Sequence, residues 1–485
     1  MIVAIAFTAC SKSDDPIADA PLTAGTANFS KYVALGNSLT AGYSDGTLFK
    51  EGQKGSWTNI IAQQFKLVGG GDFKIPFMAD NVGGFTILGF VPQGVGPRLY
   101  FNGTAPAPVT GPPTTEILNP TVNAAGPYNN MGVPGAKSFH LLAPGYGNPA
   151  GLATGASNPF FVRFASSPSA TILGDALAQN PTFFSLWIGN NDVLSYATSG
   201  GSGVNQLGNT NPATYGGNDI TDPTVFGSVY NNLINSLTAS GAKGVVGNIP
   251  YVTSIPFFTT VGYNPVPLTA AQAAALNSGY APYNGGLVAA KNLGLITEAE
   301  RVQRTINFVV GKSPVVMIDE YLTDITAVSP ALINMRQTTS TDYIVLSSQG
   351  VSAQAHLFAG NGTSGAPLQD RWVLSKNEVM ELKIATDAYN VSIKSLSAAK
   401  GLAFVDTNAL LSQVANGGIS FGNYQVTSSY ATGGAFSLDG VHPCQRGYAL
   451  IANKFLEAIN TTYGSNLKPV DLGSYPIQYP SYLPN

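Results

Sequence analysis

Apolar runs of strand length alternate with longer amphipathic stretches along this chain. The runs are KYVALG (31–36), TFFSLWIG (182–189), KGVVGNI (243–249) and GLAFVDT (401–407). Their nearly continuous apolar character is typical of strands that are buried on both faces, as in parallel sheets. A fifth strand is expected either in FKIPFMADN (73–81) or just before Gly132.

Helical periodicity occupies segments between these runs. It is found near 57–66, 169–179, 224–239, 376–399 and 447–461. The segment 376–399 is the clearest, because Ser375 and Glu378 have the spacing of an N-terminal capping box. Strand and helix in alternation predict an α/β fold with a parallel sheet that helices cover on both faces.

Two long segments interrupt this alternation. Residues 84–128 are rich in Gly, Pro, Thr and Asn. Residues 250–372 contain two helical patterns (268–278 and 296–309) and a further apolar run (313–319). Loops of this length inside a domain usually carry function or form a subdomain of their own. We expect both insertions to form a cap or the walls of a site.

Composition narrows the classes of protein to which the chain can belong. Hydrophobic residues make up 44% of its 485 positions, so a large core can form, and charged residues make up only 10%. The formal net charge is -3 and no cluster of Lys or Arg occurs. Nucleic acid is therefore not an expected partner, because phosphate binding needs a concentrated basic face.

The N-terminus has the pattern of an export signal. An apolar run, MIVAIAFTAC, ends in small residues before Cys10, and the polar stretch SKSDDPIADAP follows. The pattern resembles the lipobox of bacterial lipoproteins, although no basic residue precedes the apolar run. We expect residues 1–28 to be signal and tether, Cys10 to be lipidated, and the protein to be held by that anchor at the outer membrane or cell surface. The alternative is an incidental cysteine in a buried or disordered N-terminus.

The stretch GNSL (36–39) places a serine directly after the first predicted strand. Ser38 would then lie at the carboxyl edge of the sheet, where α/β proteins place their sites. The stretch is not a G-x-S-x-G nucleophile elbow, and a serine in this position is also suited to cap the following helix. Taken alone, the pattern favours the cap over the nucleophile.

Among three histidines, His442 has the surroundings that suit a general base. Asp439 precedes it by three residues in SLDGVHPC, a turn ahead of a predicted helix. That spacing lets the carboxylate reach the imidazole Nδ1–H from the same loop and stabilise the imidazolium. His140 lies in an apolar run and His356 lies in the long insertion, so structural roles are favoured for both.

Two further stretches can supply hydrogen-bond donors to an oxyanion. YNNMGVPGAKS (128–138) contains Gly132 and Gly135, which allow tight turns that present backbone N–H groups. WIGNNDVL (187–194) follows a predicted buried strand and supplies the side-chain amide of Asn191. Each stretch alone is also consistent with an ordinary turn.

The order of the four stretches carries more information than any one of them. They read G-N-S-L, N-x-G-x-x-G, G-x-N-D and D-x-x-H, each beside a predicted strand or helix end. In this the chain resembles the SGNH (GDSL-type) lipase and esterase family over about 29–250 and 373–462. The resemblance implies a flavodoxin-like, three-layer α/β/α fold with about five parallel strands. One domain would span 29–462, and a C-terminal tail would follow at 463–485.

The resemblance also implies roles for individual residues. Ser38 would be the nucleophile, His442 the general base and Asp439 its orienting partner. The oxyanion would be held by the backbone N–H groups of Ser38 and Gly135 and by the side chain of Asn191.

Two positions depart from the usual family pattern. Asn37 stands where the family usually has Asp, and Cys444 follows the D-x-x-H-P turn where a Thr or similar small residue is common. Because Asn and Asp are nearly isosteric and share an acceptor oxygen, we expect the loop geometry to survive. We expect Cys444 to be a small buried side chain.

The activity implied by the resemblance is hydrolysis of a carboxylic ester through an acyl-enzyme, with no cofactor and no metal. The natural ester stays open, because the family acts on lipids, short acyl esters, acetylated sugars and aryl esters. The alternative is a non-catalytic surface lipoprotein of the same fold that binds glycan or protein. Retention of all four motifs argues against that alternative, because a pure binder has no need of both Asp439 and His442.

Overall fold

A five-stranded parallel sheet forms the centre of the molecule in the computed structural model, which describes residues 21–348 and 367–484. Its strands are β1 (Tyr32–Gly36), β2 (Asn130–Gly132), β3 (Phe183–Trp187), β4 (Lys243–Gly247) and β5 (Ala403–Val405). Their order across the sheet is β2-β1-β3-β4-β5, and all neighbours are parallel. This 2-1-3-4-5 order has its topological switch point between β1 and β3, where open α/β sheets bind their ligands.

The helices follow the strands in the order that the periodicity predicts. In the described ranges they are α1 (Ser38–Ala41), α2 (Lys50–Lys54), α3 (Trp57–Lys66), α4 (Pro120–Ala124), α5 (Pro159–Val162), α6 (Ile172–Leu177), α7 (Asn191–Thr198), α8 (Pro223–Thr238), α9 (Pro256–Thr259), α10 (Ala270–Asn292), α11 (Glu298–Arg304), α12 (Lys376–Ala399), α13 (Thr407–Ala415) and α14 (Gln445–Tyr463). The five helices predicted in the core correspond to α3, α6, α8, α12 and α14.

Side chains of β3 show how helices cover the sheet. Phe183 packs edge-to-face on Phe65 of α3, and Trp187 packs against Phe455 of α14. Because successive side chains of a strand point to opposite faces, Phe184 and Leu186 lie on the other side. There α8 and α12 pack together, and no exposed surface remains on Phe184. The predicted α/β architecture, with a five-stranded parallel sheet flanked by helices, is confirmed.

The fifth strand is the segment that ends at Gly132, and residues 73–81 form no strand. The reason lies in Pro76, which has no N–H to donate to a ladder. The backbone carbonyl of Lys74 accepts hydrogen bonds from the N–H groups of Asn129 and Asn130, so the segment runs irregularly beside the start of β2.

Both insertions carry structure of their own. Residues 250–372 contain α9, α10 and α11 and a separate apolar core that includes Leu276, Leu287 and Leu332. Four two-stranded antiparallel ribbons lie in or directly beside the insertions: Leu99–Phe101 with Pro106–Pro108, Val266–Leu268 with Gly311–Ser313, Val316–Ile318 with Met335–Gln337, and Tyr343–Ile344 with Val373–Leu374. A fifth ribbon, Ile419–Phe421 with Tyr424–Val426, lies between α13 and α14.

The C-terminal tail packs against the domain, since Leu472 and Tyr479 are buried and Arg98 donates to the carbonyl of Pro480. Cys10 and His356 lie outside the described residues. Across the described ranges, no helix has both the length and the apolar character that crossing a bilayer requires.

Helix α12 begins with the predicted capping box. Ser375 Oγ accepts the Glu378 N–H at 3.5 Å, and a Glu378 carboxylate oxygen accepts the Ser375 N–H at 2.5 Å. The Glu378 side chain is buried close to Asp370. Burial raises the pKa of Glu378 to about 8, the Ser375 N–H lowers it, and the charge of Asp370 raises it further.

This raised pKa predicts a stability that falls as pH rises. Because the folded pKa lies above the unfolded one, the stabilisation is fully present below about pH 4.5 and is lost as pH rises towards 8. The free energy of unfolding should fall by about 1.4 kcal/mol per pH unit from this group. In Glu378→Gln that fall should disappear between pH 5 and 8, as measured by urea unfolding. Glu457→Gln, at an exposed surface pair, is the matched control; an unchanged slope in Glu378→Gln would contradict the prediction.

Candidate active site

Ser38 lies just past the carboxyl end of β1, beside the topological switch point of the sheet. Asn37 is the N-cap of α1, with its side-chain oxygen accepting the Leu39 N–H at 3.1 Å. Ser38 is the first residue of the helix, so its hydroxyl is not used as a cap. Gly36 is required here because a Cβ at that position would lie 2.1 Å from Thr40 Oγ1. The tight turn therefore leaves the Ser38 hydroxyl available for chemistry.

Ser38, His442 and Asp439 form one hydrogen-bonded chain. Ser38 Oγ lies 2.9 Å from His442 Nε2, and His442 Nδ1 lies 2.8 Å from Asp439 Oδ2. The carboxylate fixes the proton on Nδ1, so that Nε2 is free to accept the serine proton. The three side chains are largely buried, with 7% of Ser38 exposed.

The Asp439 carboxylate is held by four other donors. Its Oδ1 accepts the N–H groups of Val441 and His442, both at 2.8 Å, and the Ser437 hydroxyl at 3.0 Å. Its Oδ2 accepts the Gly46 N–H at 3.0 Å. Burial alone would raise the pKa of Asp439, but the charge of His442 and these hydrogen bonds lower it to about 2. The carboxylate therefore stays ionised and in one orientation.

The turn at residues 43–46, which the sequence analysis did not single out, packs against the loop at 437–443 that carries His442; we call the latter the histidine loop. The Tyr43 ring packs on the His442 ring with centroids 4.5 Å apart. Ser44 Oγ donates to the carbonyl of Pro443, and the Asp45 N–H donates to Ser437 Oγ. The only local signal is the turn-forming Asp-Gly pair at 45–46, in which both residues have positive φ. Nothing in that pair indicates a contact with a loop almost 400 residues away.

The expected oxyanion donors lie on two loops that contact each other. Asn191 begins α7 and donates one amide hydrogen to the carbonyl of Ala136 at 2.9 Å, which leaves the second amide hydrogen available. Gly135 is exposed and has a φ of 81°, a conformation that favours glycine. Gly132 differs, because its N–H donates to Asn130 Oδ1 at 2.9 Å and is thus already used.

Buried polar side chains lock these two loops together. Asp192 accepts both the N–H and the hydroxyl of Ser138, at 2.8 and 2.6 Å. Lys137 Nζ donates to the carbonyl of Asp219 at 2.6 Å, which ties the first of these loops to the segment before α8. Asp192 therefore braces the donor loops, a role that its place in the G-x-N-D stretch did not reveal.

Asn37 joins the serine turn to the loop after β3. Its side-chain amide donates to Asn190 Oδ1 at 3.2 Å, while its oxygen caps α1. Both groups are buried. Asn37 thus preserves the turn. Its side-chain amide also forms a hydrogen bond to the loop that carries Asn191, which an aspartate carboxylate, lacking a donor, could not form.

The double role of Asn37 predicts its mutational behaviour. Asn37→Ala should lower the free energy of unfolding by about 1–3 kcal/mol, because it removes the cap and leaves Asn190 unpartnered. Asn37→Asp should lower the free energy of unfolding by less, because a carboxylate still accepts the Leu39 N–H. Chemical denaturation measures both, with Asn231→Ala on the exposed face of α8 as control. Equal losses in the two Asn37 variants would contradict this account.

A largely apolar pocket opens beside Ser38. It has a volume of about 100 Å³, and its polar lining residues are Ser38, His442, the neighbouring asparagines 37, 190 and 191, and Thr407. Its apolar wall includes Leu194, Val252, Ile255, Leu411, Val414 and Ile451. Of the two insertions, only the start of 250–372 contributes to the lining, and no residue of 84–128 does. We call this cavity the apolar pocket.

The remaining candidate residues have structural surroundings. Cys444 is buried, its Sγ lies 3.0 Å from the carbonyl of Gly434, and burial raises its pKa to about 11. His140 stacks on Tyr146, away from the Ser38 chain. Among the described residues, no group of three or more His, Cys, Asp or Glu side chains is arranged to hold a metal ion.

Comparison of the chain with family models, with curated proteins and with solved structures finds no match.

Proposed function

We propose that the protein is a serine hydrolase of the SGNH (GDSL) type that cleaves carboxylic esters. The observation that carries this proposal is the continuous chain from Ser38 Oγ through His442 to Asp439. A nucleophile, a base and an oriented carboxylate in hydrogen-bond contact are the parts that acyl transfer requires. The strand order is that of the flavodoxin-like sheet implied by the four motifs.

The geometry supports a two-step reaction. Ser38 Oγ attacks the ester carbonyl while His442 Nε2 takes its proton. The alcohol then leaves with that proton, and an acyl-enzyme remains. Water activated by His442 attacks the acyl carbonyl, and the acid is released as the proton returns to Ser38. Donors for the oxyanion in both steps would be the N–H groups of Ser38 and Gly135 and the amide of Asn191.

The apolar pocket is the proposed place for the acyl chain. A cavity of about 150 Å³ binds benzene, so about 100 Å³ suits roughly four carbons. Each methylene buried there contributes about 0.8 kcal/mol, or about fourfold in kcat/KM. The proposed substrates are thus esters of short acids.

Hydrolysis of p-nitrophenyl esters of increasing chain length tests this proposal. We expect kcat/KM to rise about fourfold per methylene to about the butyrate and then to stop rising. Leu411→Ala should move the optimum to longer chains, whereas Leu67→Ala, at an exposed position, should not. Folded protein that hydrolyses none of the esters, and that a fluorophosphonate probe does not label, would favour the non-catalytic binder instead.

Lipidation of Cys10 is proposed separately, from the lipobox pattern. Radiolabelled palmitate should enter the wild-type protein in a bacterial host and should not enter Cys10→Ser. Label in the variant would rule out the site.

A further inference from the structure

A buried carboxyl group that no step of the proposed hydrolysis uses lies against the histidine loop. It belongs to Asp45, in the turn at 43–46, and only 2% of the residue is exposed. Its Oδ1 accepts the Leu438 N–H at 2.9 Å. Because Leu438 stands directly before Asp439, this hydrogen bond fixes the backbone from which the triad carboxylate projects.

The backbone of the same turn supplies donors to both oxygens of Asp439. The Gly46 N–H donates directly to Oδ2 at 3.0 Å. The Asp45 N–H donates to Ser437 Oγ at 3.0 Å, and that hydroxyl donates in turn to Asp439 Oδ1 at 3.0 Å. A hydroxyl has one proton to donate, and the Asp45 N–H leaves it free for the carboxylate. The turn therefore reaches the triad by one direct and one relayed hydrogen bond.

Two consecutive positive φ angles aim these N–H groups at Asp439. Ser44 and Thr47 exchange two backbone hydrogen bonds of 3.1 Å, and between them Asp45 has a φ of 50° and Gly46 a φ of 83°. Positive φ at both central residues is typical of a type I′ turn, which Asp-Gly pairs favour. Alanine at position 45 would thus lose both the acceptor for Leu438 and the preference for this backbone conformation.

The first insertion and the C-terminal tail hold the other side of the turn. The Leu99 N–H donates to the Asp45 carbonyl at 2.9 Å. The adjacent Arg98 is buried, and its guanidinium donates to the carbonyl of Pro480 at 2.7 Å. Since residues 84–128 do not line the apolar pocket, this insertion approaches the triad at the turn and not at the pocket.

The carboxyl group of Asp45 occupies this position at an electrostatic cost. Burial raises its pKa to about 7, the Leu438 N–H lowers it, the charge of Asp439 raises it and that of Arg98 lowers it. The ionised form is therefore less favourable in the folded chain than in water. A residue held in a position that is unfavourable for both its charge and its backbone indicates a functional role.

We propose that Asp45 is a positioning residue of the hydrolysis. Its side chain docks the turn on the histidine loop, so that Asp439 keeps both donors and holds His442 in the reactive orientation. The effect on rate rests on the proposed function, whereas the effect on the hydrogen bond between His442 and Asp439 does not. Because the docking needs only an acceptor oxygen, asparagine should replace aspartate at this position.

Hydrolysis of p-nitrophenyl butyrate tests the role in rate. Asp45→Ala should lower kcat about tenfold to about 100-fold and leave KM unchanged, because the side chain does not line the apolar pocket. Asp45→Asn should keep nearly the wild-type kcat. Asp175→Ala removes a carboxylate that holds Ser166, outside the triad and its turn, and is the matched control with full kcat. Equal losses in the two Asp45 variants, or a change in KM alone, would overturn the proposal.

Ser437→Ala keeps the proposal testable if Asp45→Ala does not fold. This variant removes the hydroxyl between the Asp45 N–H and Asp439. It should lower kcat about tenfold with KM unchanged, because the carboxylate loses one charge-assisted hydrogen bond. Full kcat in folded Ser437→Ala would overturn the proposal.

Proton NMR of the His442 ring separates this proposal from the proposed function. The Nδ1 proton between His442 and Asp439 should give a far-downfield signal that His442→Ala removes. The signal should broaden or move upfield in Asp45→Ala and stay unchanged in Asp45→Asn and Asp175→Ala. An unchanged signal in Asp45→Ala would overturn the proposal. These changes in a protein that hydrolyses no ester would refute the esterase and leave Asp45 as the residue that orients the pair.

Discussion

Replacement of Ser38 by alanine is expected to lower kcat for p-nitrophenyl butyrate by at least about 10⁴-fold, to the residual rate that binding and oxyanion donors alone supply. The physical reason is that Ser38 Oγ is the atom in contact with His442 Nε2, at 2.9 Å. Without it, no group in that position can form the acyl-enzyme. Steady-state kinetics measure the loss. The pre-steady-state burst of p-nitrophenol, which reports formation of the acyl-enzyme, should vanish as well.

Controls separate this loss from misfolding. Ser195→Ala on α7 removes a hydroxyl outside the triad and should retain full activity. His442→Ala should be as inactive as Ser38→Ala, and the double variant should lose no more than either single variant, because the residues act as a unit. Undiminished hydrolysis by folded Ser38→Ala would eliminate the assigned nucleophile.

The Asp439→Asn variant should lose about 10⁴-fold in kcat while the loop keeps its shape. The amide that replaces the Asp439 carboxylate can donate to Nδ1 of His442, which places the imidazole proton on Nε2. A protonated Nε2 cannot accept the proton of Ser38. The pKa of about 2 shows that the fold favours the charged carboxylate. Asp72→Asn, at an exposed pair with Lys66, is the matched control and should have normal activity.

The same carboxylate predicts an acid-sensitive stability. Because the folded pKa of Asp439 is lowered from 3.8 to about 2, its contribution is present above pH 4 and is lost as pH falls towards 2. The shift corresponds to about 2 kcal/mol of unfolding free energy. Asp439→Asn should therefore be less stable than wild type at pH 7 and should approach it near pH 2 in urea titrations. A constant difference across that range would show that the charge is not the cause.

Local patterns in the sequence predicted much of the fold. The apolar runs became β1, β3, β4 and β5, since burial on both faces leaves a continuous signal. The capping box formed by Ser375 and Glu378 marks the start of α12, because it depends on residues within a single helical turn. The sequence offers two alternatives for β2, because this strand is only three residues long and its apolar signal is correspondingly weak. Helices α7 and α13 were missed because they are short and follow directly after strand ends.

For the site, the sequence by itself determined the residue types and the contact within one turn. Asp439 and His442 are three residues apart, so their hydrogen bond forms within a single loop. The sequence left open whether Ser38 caps its helix, because a serine suits either role there. The structure decided it, since Asn37 is the cap and the Ser38 hydroxyl contacts His442, which lies 404 residues away. Only the parallel sheet brings those loops to one edge, and only packing places Tyr43, Ser44 and Gly46 against the histidine loop.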